Sequence, residues 1–228
     1  MDTSQALTKA VREGLAAIGD ARKAPEMQRY MKSELPFRGV ASPERTALGR
    51  RLFAAHVLTD EAEWRATVLT LWREAAYREE RYVALALTGE RRYAAWQTPA
   101  LLPLYEELIV TGAWWDYVDE VANRRVGPLL RRFPEKLTPV MYAWATDTDL
   151  WKRRTSIICQ LSFKEATDTE LLSTAIEANL DDRDFFIRKG IGWALRQFAR
   201  TEPAWVRAFV DSTPALSPLS VREAVKHL

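Results

Sequence analysis

The stretch Thr111-Gly112-Ala113-Trp114-Trp115-Asp116-Tyr117-Val118-Asp119 gathers two tryptophans and two carboxylates. Gly112 reads as the end of one helix, and the apolar pattern after it as the start of the next. In a helix over 114–123, Trp115 and Asp119 stand four apart and share a face. An aromatic ring beside a carboxylate is suited to holding a cation, or a positive charge that develops during a reaction. Asp116, near the helix start, is explained more simply by capping and the helix dipole. Core packing competes as the account of the Trp pair and, on spacing alone, is the stronger one. The rest of the chain shifts that balance.

Other kinds of chemistry find little support. His56 and His227 are far apart, and no cluster of His, Cys and carboxylates has metal-ligand spacing, so no metal or cofactor is expected. Cys159 lies within Ile157-Ile158-Cys159-Gln160-Leu161, the setting of a buried, inert thiol. Neither a Walker-type phosphate loop nor a dinucleotide fingerprint is present. Gly190-Ile191-Gly192 falls inside a helical pattern, where each glycine costs about 1 kcal/mol relative to alanine. Such a pair is explained if something approaches that helix closely, next to Trp193.

The elements that must position these residues are all helical. No segment shows sustained two-residue alternation with β-branched enrichment. Leu7, Val11, Leu15 and Ile18 make an amphipathic face closed by Gly19. Pro25 opens a short helix, and Ser42-Pro43 reads as an N-cap followed by proline at the first helical position. Asp60 with Glu63 resembles a capping box. Further helices are expected from about Tyr77 to Tyr93, from Pro99 to Gly112, and near 136–145, 149–163, 168–179, 183–200, 203–211 and 218–227. The pattern predicts an all-α protein of roughly a dozen helices with short connections.

These helices repeat. Asp149-Leu150-Trp151-Lys152-Arg153-Arg154 aligns with Asp184-Phe185-Phe186-Ile187-Arg188-Lys189 at an offset of 35, and Trp114-Trp115 lies 36 before Leu150-Trp151. A helical period of this size is the signature of an α-solenoid, in which equivalent positions line up along one surface. Residues 165–182 hold six carboxylates and no lysine or arginine, whereas 183–200 hold Arg183, Arg188, Lys189, Arg196 and Arg200 against Asp184 alone. If the basic helices share the concave side, Arg153, Arg154, Arg188, Lys189 and Arg196 form a positive groove suited to a phosphate backbone. Charges that merely solvate exposed faces are the alternative.

The formal net charge of +2 neither requires nor excludes a nucleic-acid partner. A single cysteine fits a reducing compartment, no apolar run approaches membrane-spanning length, and the N-terminus lacks a signal-peptide pattern. A cytoplasmic protein is expected. A positive groove with aromatic faces and one carboxylate would suffice to hydrolyse an N-glycosidic bond whose base is already cationic. Such a base leaves without protonation, and the enzyme need only stabilise the sugar cation and guide water.

Several motifs carry a family resemblance: Met27-Gln28-Arg29-Tyr30-Met31-Lys32, Ser42-Pro43-Glu44-Arg45, Trp114-Trp115-Asp116-Tyr117-Val118-Asp119, Trp151-Lys152-Arg153-Arg154, Ile187-Arg188-Lys189-Gly190-Ile191-Gly192-Trp193 and Leu219 to His227. In these the chain resembles the DNA alkylation repair glycosylases of the AlkD type, built from HEAT-like helical repeats, over nearly its whole length. The resemblance implies one glycosylase domain over 1–228 that excises 3-methyladenine, 7-methylguanine and similar cationic purines from duplex DNA without flipping the base into a pocket. It implies Asp119 as the catalytic carboxylate, Trp115 and Trp193 as its aromatic partners, Arg154 as the arginine that closes Trp-x-x-Arg, and Tyr30 as an aromatic position near the DNA. On this reading Arg154 would grip a phosphate, with Arg153, Arg188, Lys189 and Arg196 along the groove. The expected form is a monomer in the cytoplasm, on the nucleoid when bound. A non-catalytic DNA-structure binder and a protein-interaction scaffold are the competing readings.

Overall fold

In the computed structural model, which describes residues 2–226 and 228, apolar residues spaced three and four apart set nearly every element. His227, the second histidine of the sequence and the end of its last family motif, lies outside the described residues, as does Met1. The described residues form fourteen α-helices with 3₁₀ and π turns between them and no strand. The chain divides into two compact units, Met1–Trp96 and Gln97–Leu228.

In the N-terminal unit, α1 (Thr3–Ala17) is capped by the Asp2 side chain and buries Leu7, Val11 and Leu15. Then come α2 (Ala24–Met31), α3 (Ser42–Ala55), α4 (Glu61–Arg73) and α5 (Arg78–Thr88). Asp60 caps α4 by accepting from the Glu63 amide at 2.7 Å, as its spacing predicts. The Glu63 carboxylate turns instead to the amides of Ser4 and Thr59. Trp64, Val68, Leu71 and Trp72 of α4 fill the core. Three boundaries differ from the sequence reading. Helix α1 ends at Ala17, and Ile18 is its exposed C-cap and not part of the buried face. Ala41, not Ser42, is the N-cap of α3. The helix expected to reach Tyr93 ends at Thr88, where Gly89 caps it. A 3₁₀ turn then stacks Tyr93 on Trp96 at 4.8 Å.

In the C-terminal unit, α6 (Leu102–Gly112) ends on Ala113, which takes a left-handed conformation (φ 43°) that costs a residue with a Cβ more than it costs glycine. Helix α7 (Trp115–Val121) runs through a π turn at Ala122–Val126 into α8 (Gly127–Arg132). Then follow α9 (Pro134–Ala145), α10 (Leu150–Ile158), α11 (Thr169–Glu177), α12 (Phe185–Phe198), α13 (Pro203–Ser212) and α14 (Pro218–Ala224). Helix α10 packs on both α9 and α12, and α12 on α14.

The 35-residue period is a repeat of hydrogen bonds as well as of residues. Asp149 Oδ1 accepts from the amides of Trp151 and Lys152, and Asp184 Oδ1 from those of Phe186 and Ile187. Asp147 and Asp182 each accept from the amide two residues on, at 2.8 Å. Arg153 and Arg188 reach back to the carbonyls of Asp147 and Asp182. The same capping box therefore opens α10 and α12, and this all-α architecture is a helical repeat.

Candidate active site

Asp119 lies in the second turn of α7, on the face that also carries Trp115. Facing it from α10 is Arg154, with a side chain only 5% exposed. The two meet as a fork: Nε donates to Oδ1 at 2.8 Å and Nη2 to Oδ2 at 2.9 Å. The third guanidinium nitrogen, Nη1, donates to the carbonyl oxygen of Phe186 at the start of α12. Three helices thus fix one ion pair, and the planar fork matches the carboxylate as an ammonium could not.

Burial pushes the Asp119 carboxyl above its usual range, against the hydrogen bonds and charge of Arg154; the nearby charge of Asp116 pushes the same way as burial. Asp119 keeps 16% of its side-chain surface open. The carboxylate is therefore desolvated, oriented and reachable.

Glycine spacing explains how the pair fits. A Cβ at Gly190 would sit 3.1 Å from Arg154 Nη1, so α12 passes close over the guanidinium. A Cβ at Gly192 would meet Glu223 Cβ at 2.5 Å and the Ser220 carbonyl at 2.9 Å on α14. The close approach expected at Gly190-Ile191-Gly192 is therefore made twice, once to the site and once to α14. Trp193 is half-buried, stands one turn beyond Gly190 on α12 and packs in part against the core of the C-terminal unit. Trp115 is likewise half-buried, so neither ring is spent wholly on the core.

Trp114 plays a different part. Its ring packs at 5.3 Å against Phe186 and 6.5 Å from Trp151, while Phe186 lies 5.1 Å from Trp151. This aromatic cluster holds the peptide whose carbonyl receives Arg154. The sequence reading missed Trp114 and Phe186 in that role, although Phe186 stands 35 residues after Trp151 in the repeat.

The cations need revision. Arg154 spends three of its five N–H donors on Asp119 and the Phe186 carbonyl, and its side chain is only 5% exposed. Arg153 points away from Asp119 and pairs with Asp182 at 2.8 Å. Arg188 donates to the Asp182 carbonyl. Lys189 and Arg196 converge on Glu223, whose carboxyl is held below the usual range first by the Lys189 hydrogen bond. The basic strip expected from the charge pattern is thus partly engaged by carboxylates: Asp119, Asp182 and Glu223 stand against the five cations Arg153, Arg154, Arg188, Lys189 and Arg196. Acidic partners elsewhere explain why: Asp119 on α7, Glu223 on α14 and Asp182 in the loop before α12 lie outside a charge count along one helix. Tyr30 lies on α2 in the other unit and is 75% exposed. Cys159 is buried, with its thiol pushed up to about 12 by desolvation, as expected of an inert thiol.

The fold and this buried Asp–Arg pair between repeats define a helical-repeat protein with a desolvated, accessible carboxylate. The family model for DNA alkylation repair enzymes matches residues 11–228, and the chain belongs to that family. A solved structure described as a predicted DNA alkylation repair enzyme from Enterococcus faecalis is similar to it, with a TM-score of 0.76 and 30% identity, covering 92% of this chain and 96% of that one. No curated protein matches. Membership of the family supports a role in DNA alkylation repair. No helix among the described residues is long and apolar enough to cross a membrane.

Proposed function

We propose that the protein is a monofunctional DNA glycosylase that removes cationic alkylated purines, such as 3-methyladenine and 7-methylguanine, from duplex DNA without flipping the base into a pocket. The observation that carries this reading is the Asp119 carboxylate, held by a buried Arg154 fork yet open to solvent on the face shared with Trp115. In the reaction the C1′–N bond breaks and its electron pair goes to the base, which leaves neutral. Positive charge then develops on the sugar, where a fixed carboxylate is worth more than in water. Water adds to C1′ and loses a proton, leaving an abasic sugar. Trp115 and Trp193 supply aromatic faces for the cationic nucleotide.

Lysines near this constellation are engaged elsewhere: Lys152 with Glu106 and Asp147, and Lys189 with Glu223. Hydrolysis without strand cleavage follows, since neither amine stands ready to attack the sugar. On this reading residues 1–228 act together as one monomeric enzyme in the cytoplasm, on the nucleoid when bound. A duplex carrying 7-methylguanine tests it: wild type should release the base and leave an intact strand with an abasic site. Strand breakage without added base would contradict the monofunctional assignment.

The competing DNA-structure binder would use the same basic residues without catalysis and gives salt-sensitive duplex binding, with little effect of Asp119→Asn. It predicts no base release. The protein-interaction scaffold calls for basic residues that do not converge on one surface and for buried Trp115 and Trp193; Arg153, Lys189 and Arg196 are paired with carboxylates, while both rings are only half-buried.

A further inference from the structure

Arg38 of the N-terminal unit differs from the arginines around Asp119. Its guanidinium carbon lies 3.7 Å from the Tyr77 ring centroid, a flat stack. It forms no ion pair among the described residues, and its Nε is buried with no hydrogen-bond partner. Buried donors are rarely left so without a reason. The stack borders an open cavity of about 460 Å³, lined also by Ala16, Gly19, Gln28 and Phe37, with no carboxylate in its wall. Among the described residues, Arg38 is the only charged one lining it.

The backbone beneath this cation is fixed from both sides. The fully buried Glu79 carboxylate accepts from the amides of Arg38, Gly39 and Val40 at 2.9–3.1 Å. The Arg38 carbonyl accepts from Asp20 N at 2.8 Å. Gly39 takes φ 80°, and a Cβ there would lie 2.0 Å from the Asp20 carbonyl. Helix α2, which borders the cavity, adds exposed Arg29 and the largely exposed ring of Tyr30, and Lys32 follows as its cap; Glu26 and Glu34 are exposed nearby, while Asp20 is occupied by Arg22 and Lys23.

We propose that the Arg38–Tyr77 stack is an anion subsite that takes a phosphate of the DNA backbone. A planar guanidinium supported on one face and lacking a counter-ion presents donors to a tetrahedral oxyanion. The choice of DNA as the phosphate's source rests on the glycosylase reading above.

The test is binding of the full chain to an undamaged duplex, followed by fluorescence anisotropy across a range of NaCl concentrations. Arg38→Gln should flatten the slope of log affinity against log salt by about 0.9, as expected when one phosphate is no longer neutralised, and Arg38→Lys should restore most of it. Should Arg38→Gln fail to fold, Arg38→Met, which keeps an apolar stem on Tyr77, is measured in its place. A slope identical to wild type overturns the subsite while leaving base release untouched. Flattening without base release upholds the subsite and removes the glycosylase reading. A wild type that does not bind duplex overturns both. If inorganic phosphate raises the melting midpoint of wild type but not of Arg38→Gln, with the duplex slope unchanged, the site serves free phosphate and the DNA assignment is overturned.

Discussion

The openings of α10 and α12 are the same structure used twice. Each begins with an aspartate box, and Arg153 and Arg188 occupy equivalent positions and both reach back to a box carbonyl. The next position is Arg154 in one and Lys189 in the other, and each meets a carboxylate on a neighbouring helix. There the likeness ends. Arg154 is buried and holds Asp119 by two hydrogen bonds; Lys189 is 37% exposed and touches Glu223 once, at 3.0 Å. The carboxyls respond in opposite senses, Asp119 raised by burial and Glu223 lowered by the Lys189 hydrogen bond. A repeat supplies position, and solvent decides whether the pair is a site or a surface bridge.

The largest effect should come from breaking the buried pair. Arg154→Ala strands Asp119 in a desolvated place and should cost about 3–5 kcal/mol of stability, read by urea unfolding. Lys152, also on α10, is held by Glu106 and Asp147 and offers no substitute guanidinium. A cost below about 1 kcal/mol would show that the pair is solvated like a surface bridge.

Removing either cap should be milder and equal in the two repeats. Asp149→Ala and Asp184→Ala should each cost about 1 kcal/mol by thermal unfolding. A clear inequality would mean that the two openings are not interchangeable.

Glu223→Gln should have the smallest effect on stability, about 0–1 kcal/mol, because Lys189 and Arg196 stay partly in water. A larger loss would place this bridge beside the buried pair and erase the contrast.

The pH dependence sharpens the comparison further. A reaction that needs ionised Asp119 should lose rate on acidification at a pH above the usual carboxylate range, because the folded-state value is raised. For stability the sign is the reverse of the usual acid case. Between the unfolded and the raised folded value the native state binds more protons, so ionising Asp119 lowers stability as pH rises through that window. Glu223, lowered in the fold, adds stability above its unfolded value and loses it as pH falls through its folded one. A rate profile with its acid limb below the ordinary range would contradict the burial of Asp119.

Local chemistry was what the sequence made legible. The all-helical pattern and the Asp60 cap depend on neighbours a few residues away, while the 35-residue period and the paired glycines of α12 are read from residue identities alone. Asp119 and Trp115 were legible as a pair because one helix turn sets their spacing. The partnership of Asp119 with Arg154 was not, although the two lie one repeat apart, because it exists only once α7 packs on α10. For the same reason Glu223 and Asp182 were invisible as neutralising partners. The π turn at Ala122–Val126 left no sequence signal, and Gly89 ended α5 where the apolar pattern ran on to Tyr93.

The most direct measurement is single-turnover base release from a 7-methylguanine duplex by wild type and Asp119→Asn, with duplex affinity measured alongside. If Asp119 acts on the sugar cation, the variant should bind within about threefold of wild type and lose at least roughly two orders of magnitude in release, the scale of removing one preorganised electrostatic group. Parallel loss of binding and release would make Asp119 a structural partner of Arg154, and full release by the variant would remove the carboxylate from the chemistry.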